Sequence, residues 1–194
     1  MKKIQILTSF LAILLMLLLM TACSKNENET AISNEALGIC GSWAYIHDKE
    51  TAIAVFHEDG TAVYEGKDYS FEGDSQFIKL KDTDGVTTQL RYTLDDEGMY
   101  LYSNNTYTYS GEGEPDGLIG EWACKEKNWS YSFTEAGTFI EDGFFPGYYT
   151  VDNDNSTFKL VYNDQFEDTV CYFHLDKDKL LIEYPWRMVR MSDK

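Results

Sequence analysis

Proline is nearly missing from this chain, with 3 in 194 residues, and cations are scarce: 16 Lys and Arg stand against 33 Asp and Glu. Removing residues 1–22, which hold Lys2 and Lys3 but no acid, deepens the net charge from −17 to −19. Binding phosphate requires Lys and Arg to displace counterions, so nucleic acid is excluded as a partner. Electrostatic docking on anionic lipid is excluded for the same reason. Beyond residue 20 there is no long apolar run, and the 3 His (His47, His57 and His174) fall in no paired ligand spacing. No C-x-x-C, H-E-x-x-H, G-x-S-x-G, P-loop or dinucleotide fingerprint occurs, so neither a metal nor a cofactor is expected. Aromatics are plentiful, with 14 Tyr, 11 Phe and 4 Trp. Chains that stay disordered are poor in such residues, so a packed fold is expected.

The first 22 residues form an address. Lys2 and Lys3 precede a mainly apolar stretch from Ile6 to Met20, and small Thr21 and Ala22 lead to Cys23. That stretch is shorter than the roughly 20 residues needed to span a bilayer, and the small-residue ending is the mark of a cleaved signal. The ending M-T-A-C resembles the lipobox of bacterial lipoproteins, with Met20 where Leu is usual. The resemblance implies cleavage before Cys23 and attachment of diacylglycerol there. Acyl chains contribute about 0.8 kcal/mol per buried methylene, and two signals of this kind hold a protein on a membrane. Residues 23–36 are polar and read as a lipidated flexible tether. With Cys23 consumed, Cys40, Cys124 and Cys171 remain. Cys124 and Cys171 fall on core-facing strand positions, where they serve as buried thiols or as a disulfide pair.

The rest of the chain repeats itself. GICGSWAY (38–45) is answered by GLIGEWAC (117–124), FHEDGT (56–61) by FTEAGT (133–138), and YTLDDEGMYL (92–101) by FHLDKDKLLI (173–182). The offset drifts from 79 through 77 to 81 while the order is kept, as small insertions in turns require. The reading is one module at 37–110, a linker at 111–117 and a second module at 118–194. Within each, the dominant period is two: Trp129, Tyr131 and Phe133 alternate with serines, and Leu90, Tyr92 and Leu94 with polar residues. Turn signals such as Glu58-Asp59-Gly60 and Asp142-Gly143 punctuate the strands. The expected fold class is all-β, a tandem repeat of two small antiparallel meander or barrel modules with six to eight strands each. A module of this size buries only about 60% of its unfolded surface, so the two are expected to pack together or join sheets.

Gly41-x-Trp43 and Gly120-x-Trp122 open the two modules and resemble the G-x-W start of lipocalin-like β-barrels. The F-x-E-x-G-T hairpin is similar to that of small lipocalin-like repeats in bacterial lipoproteins. The resemblance covers most of residues 37–192 and implies that each Trp plugs one end of a barrel.

Catalytic residues are not nominated by any motif. Cys40-Gly41-Ser42-Trp43 is similar to the C-G-S-C-W of papain-like proteases but lacks its nucleophilic second Cys. Asp82-Thr83-Asp84-Gly85 and Asp152-Asn153-Asp154-Asn155 offer oxygen ligands for calcium, yet the same residues are what tight turns use. Phe144-Phe145-Pro146-Gly147-Tyr148-Tyr149 is an apolar insertion relative to the first module, and Phe144, Phe145 and Tyr148 are the candidate binding surface. Tyr100, Tyr102, Tyr107 and Tyr109 make a second aromatic stripe.

The sequence therefore reads as a non-enzymatic lipoprotein of the cell membrane or outer envelope, held by an N-terminal diacylglycerol and facing outward. It acts as a binding or interaction module for a small apolar or saccharide ligand or a protein. Its alternatives are a small cell-surface hydrolase with paired carboxylates and a structural envelope protein. Replacing Cys23→Ala is expected to leave an uncleaved, unacylated precursor. Mass spectrometry of the N-terminal peptide checks this: wild type should begin at an acylated Cys23 and the variant at residue 1.

Overall fold

The computed structural model describes residues 37–163 and 166–192, and within them the fold is all-β. The signal segment, Cys23 and the tether lie outside the described residues. Fourteen antiparallel strands follow one another in chain order. The first seven are β1 (Gly41–Tyr45), β2 (Ala54–Phe56), β3 (Thr61–Tyr64), β4 (Lys67–Gly73), β5 (Phe77–Lys81), β6 (Thr87–Asp95) and β7 (Gly98–Tyr109). The next seven are β8 (Gly120–Cys124), β9 (Trp129–Phe133), β10 (Thr138–Glu141), β11 (Phe145–Asp152), β12 (Thr157–Tyr162), β13 (Thr169–Asp176) and β14 (Lys179–Arg190). Each strand pairs with its neighbour in sequence, and β14 closes the ring by pairing with β1.

One further pairing decides the architecture. β7 and β14, at 12 residues the longest strands, lie side by side from Met99 opposite Met188 to Thr108 opposite Lys179. On its other edge β7 pairs with β6 through Gly98–Leu101 and then with β8 through Thr108 and Tyr109. On its other edge β14 pairs with β13 through Lys179–Glu183 and then with β1 through Met188–Arg190. The ring is thus pinched into two closed circuits of eight strands. One is β1–β6 with the start of β7 and the end of β14; the other is β8–β13 with the end of β7 and the start of β14.

Alternation places one face of the β7–β14 ribbon inside both circuits, since side chains two apart share a face. Met99, Leu101 and Met188 join the first core, and Tyr107, Leu180 and Ile182 join the second. An eight-stranded barrel is just wide enough for side chains to fill it. Trp43, Phe56, Ile78, Leu80, Met99 and Met188 fill the first and are at most 2% exposed. Trp122, Phe133, Phe139, Phe158, Leu160 and Leu180 fill the second to the same degree. Cys124 and Cys171 are free thiols buried in this second core, so the bridge that the sequence left open is not formed.

The outer end of each barrel is plugged by its tryptophan. Trp43 Nε1 donates to the Ile39 carbonyl at 2.7 Å, and Trp122 Nε1 to the Leu118 carbonyl at 2.8 Å. Each plug is covered from the last strand of the opposite half. Arg190, at the end of β14, lies 4.6 Å over the Trp43 ring and donates to the carbonyls of Gly38 and Cys40. Tyr109, at the end of β7, packs 5.3 Å from Trp122. These covers explain the glycine two residues before each Trp. Gly41 and Gly120 have φ of 128° and 122°, and a Cβ would overlap Arg190 at the first and the Tyr109 ring at the second.

Two arginines tie the ribbon to its surroundings. Arg187 of β14 holds Asp95 through both nitrogens, at 2.6 and 2.9 Å, and lies 4.6 Å over Tyr100. Hydrogen bonding from Arg187 holds the Asp95 carboxyl down at about 2. Arg91 of β6 reaches Glu183 of β14 at 2.6 Å and is sandwiched between Phe77 at 4.6 Å and Tyr172 at 3.9 Å. It thereby joins a strand of the first barrel to two of the second.

Gly120→Ala forces the Tyr109 ring aside and is expected to cost about 1–3 kcal/mol, the usual penalty of overpacking. Equilibrium denaturation of Gly120→Ala, Tyr109→Ala and the double variant checks it. The double variant should lose less than the two single losses together, because the clash needs both partners.

Candidate functional site at the meeting of the two barrels

With the Trp plugs at the outer ends, the inner ends of both barrels come together at the middle of the β7–β14 ribbon. There the inward face changes character. Between Leu101 and Tyr107 on β7 it carries Ser103 and Asn105, and between Ile182 and Met188 on β14 it carries Tyr184 and Trp186. Trp186 Nε1 donates to Ser103 Oγ at 2.9 Å, and Asn105 Nδ2 donates to the same oxygen at 3.1 Å. Asn105 is the one buried polar side chain among the described residues.

Trp186 sits between rings from both barrels. Tyr45, ending β1, lies 5.5 Å away at an interplanar angle of 49°, and Tyr184 lies 5.2 Å away at 51°. On the side of the first barrel, Tyr64 ends β3 and Glu65 opens the following turn. On the side of the second, Glu141 ends β10 and accepts two short hydrogen bonds of 2.6 Å, from Tyr131 through one oxygen and Tyr162 through the other. Phe166 packs 5.3 Å from Tyr162 and 5.2 Å from Phe145, extending the row outward. Tyr45, Trp186 and Tyr184 thus form one row of contacting rings across the junction, and Tyr162, Phe166 and Phe145 a second on the side of the second barrel, next to Glu141.

Burial keeps these phenols protonated. Tyr45 and Tyr64 are raised by burial first and by the Glu65 charge second. Tyr131 and Tyr162 are raised chiefly by burial, with Glu141 adding to it. Burial pushes the Cys171 thiol well up, again with help from Glu141, so it stays a thiol rather than a nucleophile. The junction therefore offers neutral rings and hydroxyls.

The residues singled out in the sequence go to different places. Gly41, Trp43, Gly120 and Trp122 stand at the plugged outer ends. Phe145 joins the aromatic row through Phe166, whereas Phe144 and Tyr148 turn to solvent, 80% and 58% exposed. Tyr107 and Tyr109 point inward and Tyr100 and Tyr102 outward, so those four form two stripes on opposite faces. The acidic loops are turns: Asp152 Oδ1 accepts the amides of Asp154 and Asn155 at 3.1 and 3.2 Å, and Asp82 Oδ1 those of Asp84 and Val86 at 3.0 and 2.8 Å. Among the described residues no group of three His, Cys, Asp or Glu is arranged for a metal. Two open surface clefts, of about 470 and 550 Å³, lie on the first barrel beside His57 and away from the aromatic row.

Trp186, Tyr45, Tyr184 and Glu141 were not singled out in the sequence. Their signal was the loss of symmetry: at the offset of 81, Tyr184 stands against Ser103 and Trp186 against Asn105. No family model, curated protein or solved structure matches this chain.

Tyr131→Phe removes one of the two donors to Glu141 without changing the shape of the ring. A hydrogen bond to a charged group contributes about 1.5–3 kcal/mol, and thermal or urea unfolding should show a loss of that order. An unchanged stability would mean that Glu141 is satisfied by water.

Proposed function

We propose that this chain is a lipid-anchored extracytoplasmic binding protein, made of two copies of a lipocalin-like module, that takes its ligand where the inner ends of the barrels meet. The lipobox and tether supply the anchor and the reach. The kinship of the two halves draws support from the matched plugs, Trp43 with Ile39 and Trp122 with Leu118. It draws more from register: Ser103 and Tyr184, 81 apart and so counterparts in the repeat, are also direct partners across β7 and β14. A local two-fold axis through that pair is what exchange between two copies would leave.

The observation that carries the binding reading is the placement of exposed aromatic surface. Both interiors are filled, so a ligand enclosed within one barrel has no room. Trp186 is 37% exposed although it lies on the ribbon's inward face, amid rings from both barrels. Aromatic surface held open at a junction of two units is a common setting for small-molecule recognition. A second reading, a protein partner, is favoured by Phe144 and Tyr148, whose exposure on the outer wall of the second barrel suits an apolar contact.

Native mass spectrometry of the mature lipoprotein, purified gently in detergent, separates the two. Retained mass that disappears on denaturation, and is absent from Trp186→Ala with a similar melting temperature, is the expected result. A clean mass for wild type, together with a photo-crosslinker at Tyr148 that captures one protein in intact cells, would overturn it in favour of the second reading.

A further inference from the structure

Cys40, Cys124 and Cys171 differ in their surroundings. Cys124 and Cys171 are closed into the core of the second barrel, and burial holds the Cys171 thiol well above its usual range. Cys40 is only half-buried and stands just before β1, at the outer end of the first barrel. What a thiol in such a place does is set by the charges and bases beside it.

The sheet supplies those neighbours. Gly41 of β1 and Phe56 of β2 are direct partners, so Cys40 and His57, the next residue out on each chain, leave the strand pair side by side. Both line an open cleft of about 550 Å³, together with Ser42, Glu58, Asp59 and Arg190. His57, Glu58, Asp59 and Arg190 are exposed, so a small solute in water reaches this cleft. Arg190 is fixed over Trp43 and donates to the carbonyls of Cys40 and Gly38, which holds its charge at the backbone of the thiol. A cation and an imidazole beside a thiol favour the thiolate. Glu58 and Asp59 oppose it, but Asp59 is engaged by the hydroxyl and amide of Thr61 at 2.7 and 2.9 Å.

The second barrel has the same plug without these groups. At the offsets of the repeat, Ile119 stands for Cys40, Thr134 for His57, Ala136 for Asp59 and Tyr109 for Arg190. Sealing a barrel end therefore does not call for a thiol, an imidazole or a guanidinium. Their appearance together at one end, in one cleft, is a feature added to the plug.

We propose that Cys40, His57 and Arg190 form a thiol–disulfide exchange site that takes a small organic disulfide. Neutral His57 accepts the Cys40 proton, and the thiolate attacks one sulfur of the disulfide. A bond forms between Cys40 Sγ and that sulfur as the disulfide bond breaks, and the departing thiolate takes the proton back from His57. One thiol and one disulfide give one mixed disulfide and one thiol, so no further oxidant is needed. Arg190 stays charged throughout and favours the anionic sulfur. The site is separate from the junction of the barrels and does not depend on what binds there.

The test is reaction of the folded mature lipoprotein with 5,5′-dithiobis(2-nitrobenzoate), a small disulfide whose released thiolate is coloured, with peptide mapping to count each cysteine separately. Cys40 should be modified at least about tenfold faster than Cys124 and Cys171, and unfolding in urea should bring the three to similar rates. His57→Ala should slow Cys40 about tenfold at pH 7 and leave its rate unchanged above about pH 9, where a thiol ionises unaided. Near-ultraviolet circular dichroism confirms the fold of each variant. Ile119→Cys in a Cys40→Ser background puts a thiol at the same place in the second barrel without imidazole or guanidinium, and it should react about tenfold more slowly than Cys40. A Cys40 no faster than the two core thiols would overturn the site. A rate unaltered by His57→Ala at pH 7, or equalled by Ile119→Cys, would overturn the part assigned to its neighbours and reduce Cys40 to an ordinary surface thiol.

Discussion

The pairing of β7 with β14 is the contact on which the rest of this fold depends. A seven-stranded half has one strand too few to close an eight-stranded barrel. Each half supplies its missing strand from the other by extending its last strand to twice the needed length. That solves a problem of size, because a module near 75 residues buries too little surface to be secure alone. Sharing two strands gives each core a complete wall and joins the two cores in one continuous sheet. It also removes free sheet edges, which are otherwise sites of unwanted association.

The same ribbon places the chemistry. Its ends carry Arg190 and Tyr109 to the plugs, so each barrel is sealed by a residue from the opposite half. Its middle lies between the two cores, with Tyr45 packed against the first and Tyr184 against the second. Ser103, Asn105, Tyr184 and Trp186 occupy it, with Asn105 buried and Trp186 37% exposed. Hydrogen bonds between Trp186, Asn105 and Ser103 satisfy the polar groups there. The difference between the halves concentrates here as well: Glu141 with its two tyrosines stands in one, Tyr64 with Glu65 in the other.

Much of this was legible in the sequence, and the reasons for what was not are physical. Period-two alternation and regular turns gave the all-β class, because strand patterning is local. The turns in the acidic loops were legible for the same reason, since an aspartate bonding amides two to four residues on needs only its own neighbourhood. The exchange of β7 and β14 is not local, and nothing in the alternation of Met99, Leu101, Tyr107 and Tyr109 says which barrel each will enter. A hint existed in the polar pair Ser103 and Asn105, set at inward positions where a single core would want apolar residues. The aromatic stripe was misleading because four tyrosines close in sequence were counted together although the pleat sends them to opposite faces. The exposure of Phe144 and Tyr148 was legible because an apolar insertion is visible in sequence. The setting of Trp186 was not legible, because its neighbours Tyr45 and Ser103 come from distant strands.

The claim that two halves complete each other is tested most directly by separating them. Residues 37–110 and 118–194 can be expressed alone and mixed, with size and chemical-shift dispersion measured for each sample. The account predicts that neither half is a folded monomer, that each is unfolded or self-associated through its long last strand, and that the mixture yields a folded one-to-one complex with buried tryptophans. A well-dispersed, folded monomer of either half on its own would contradict it.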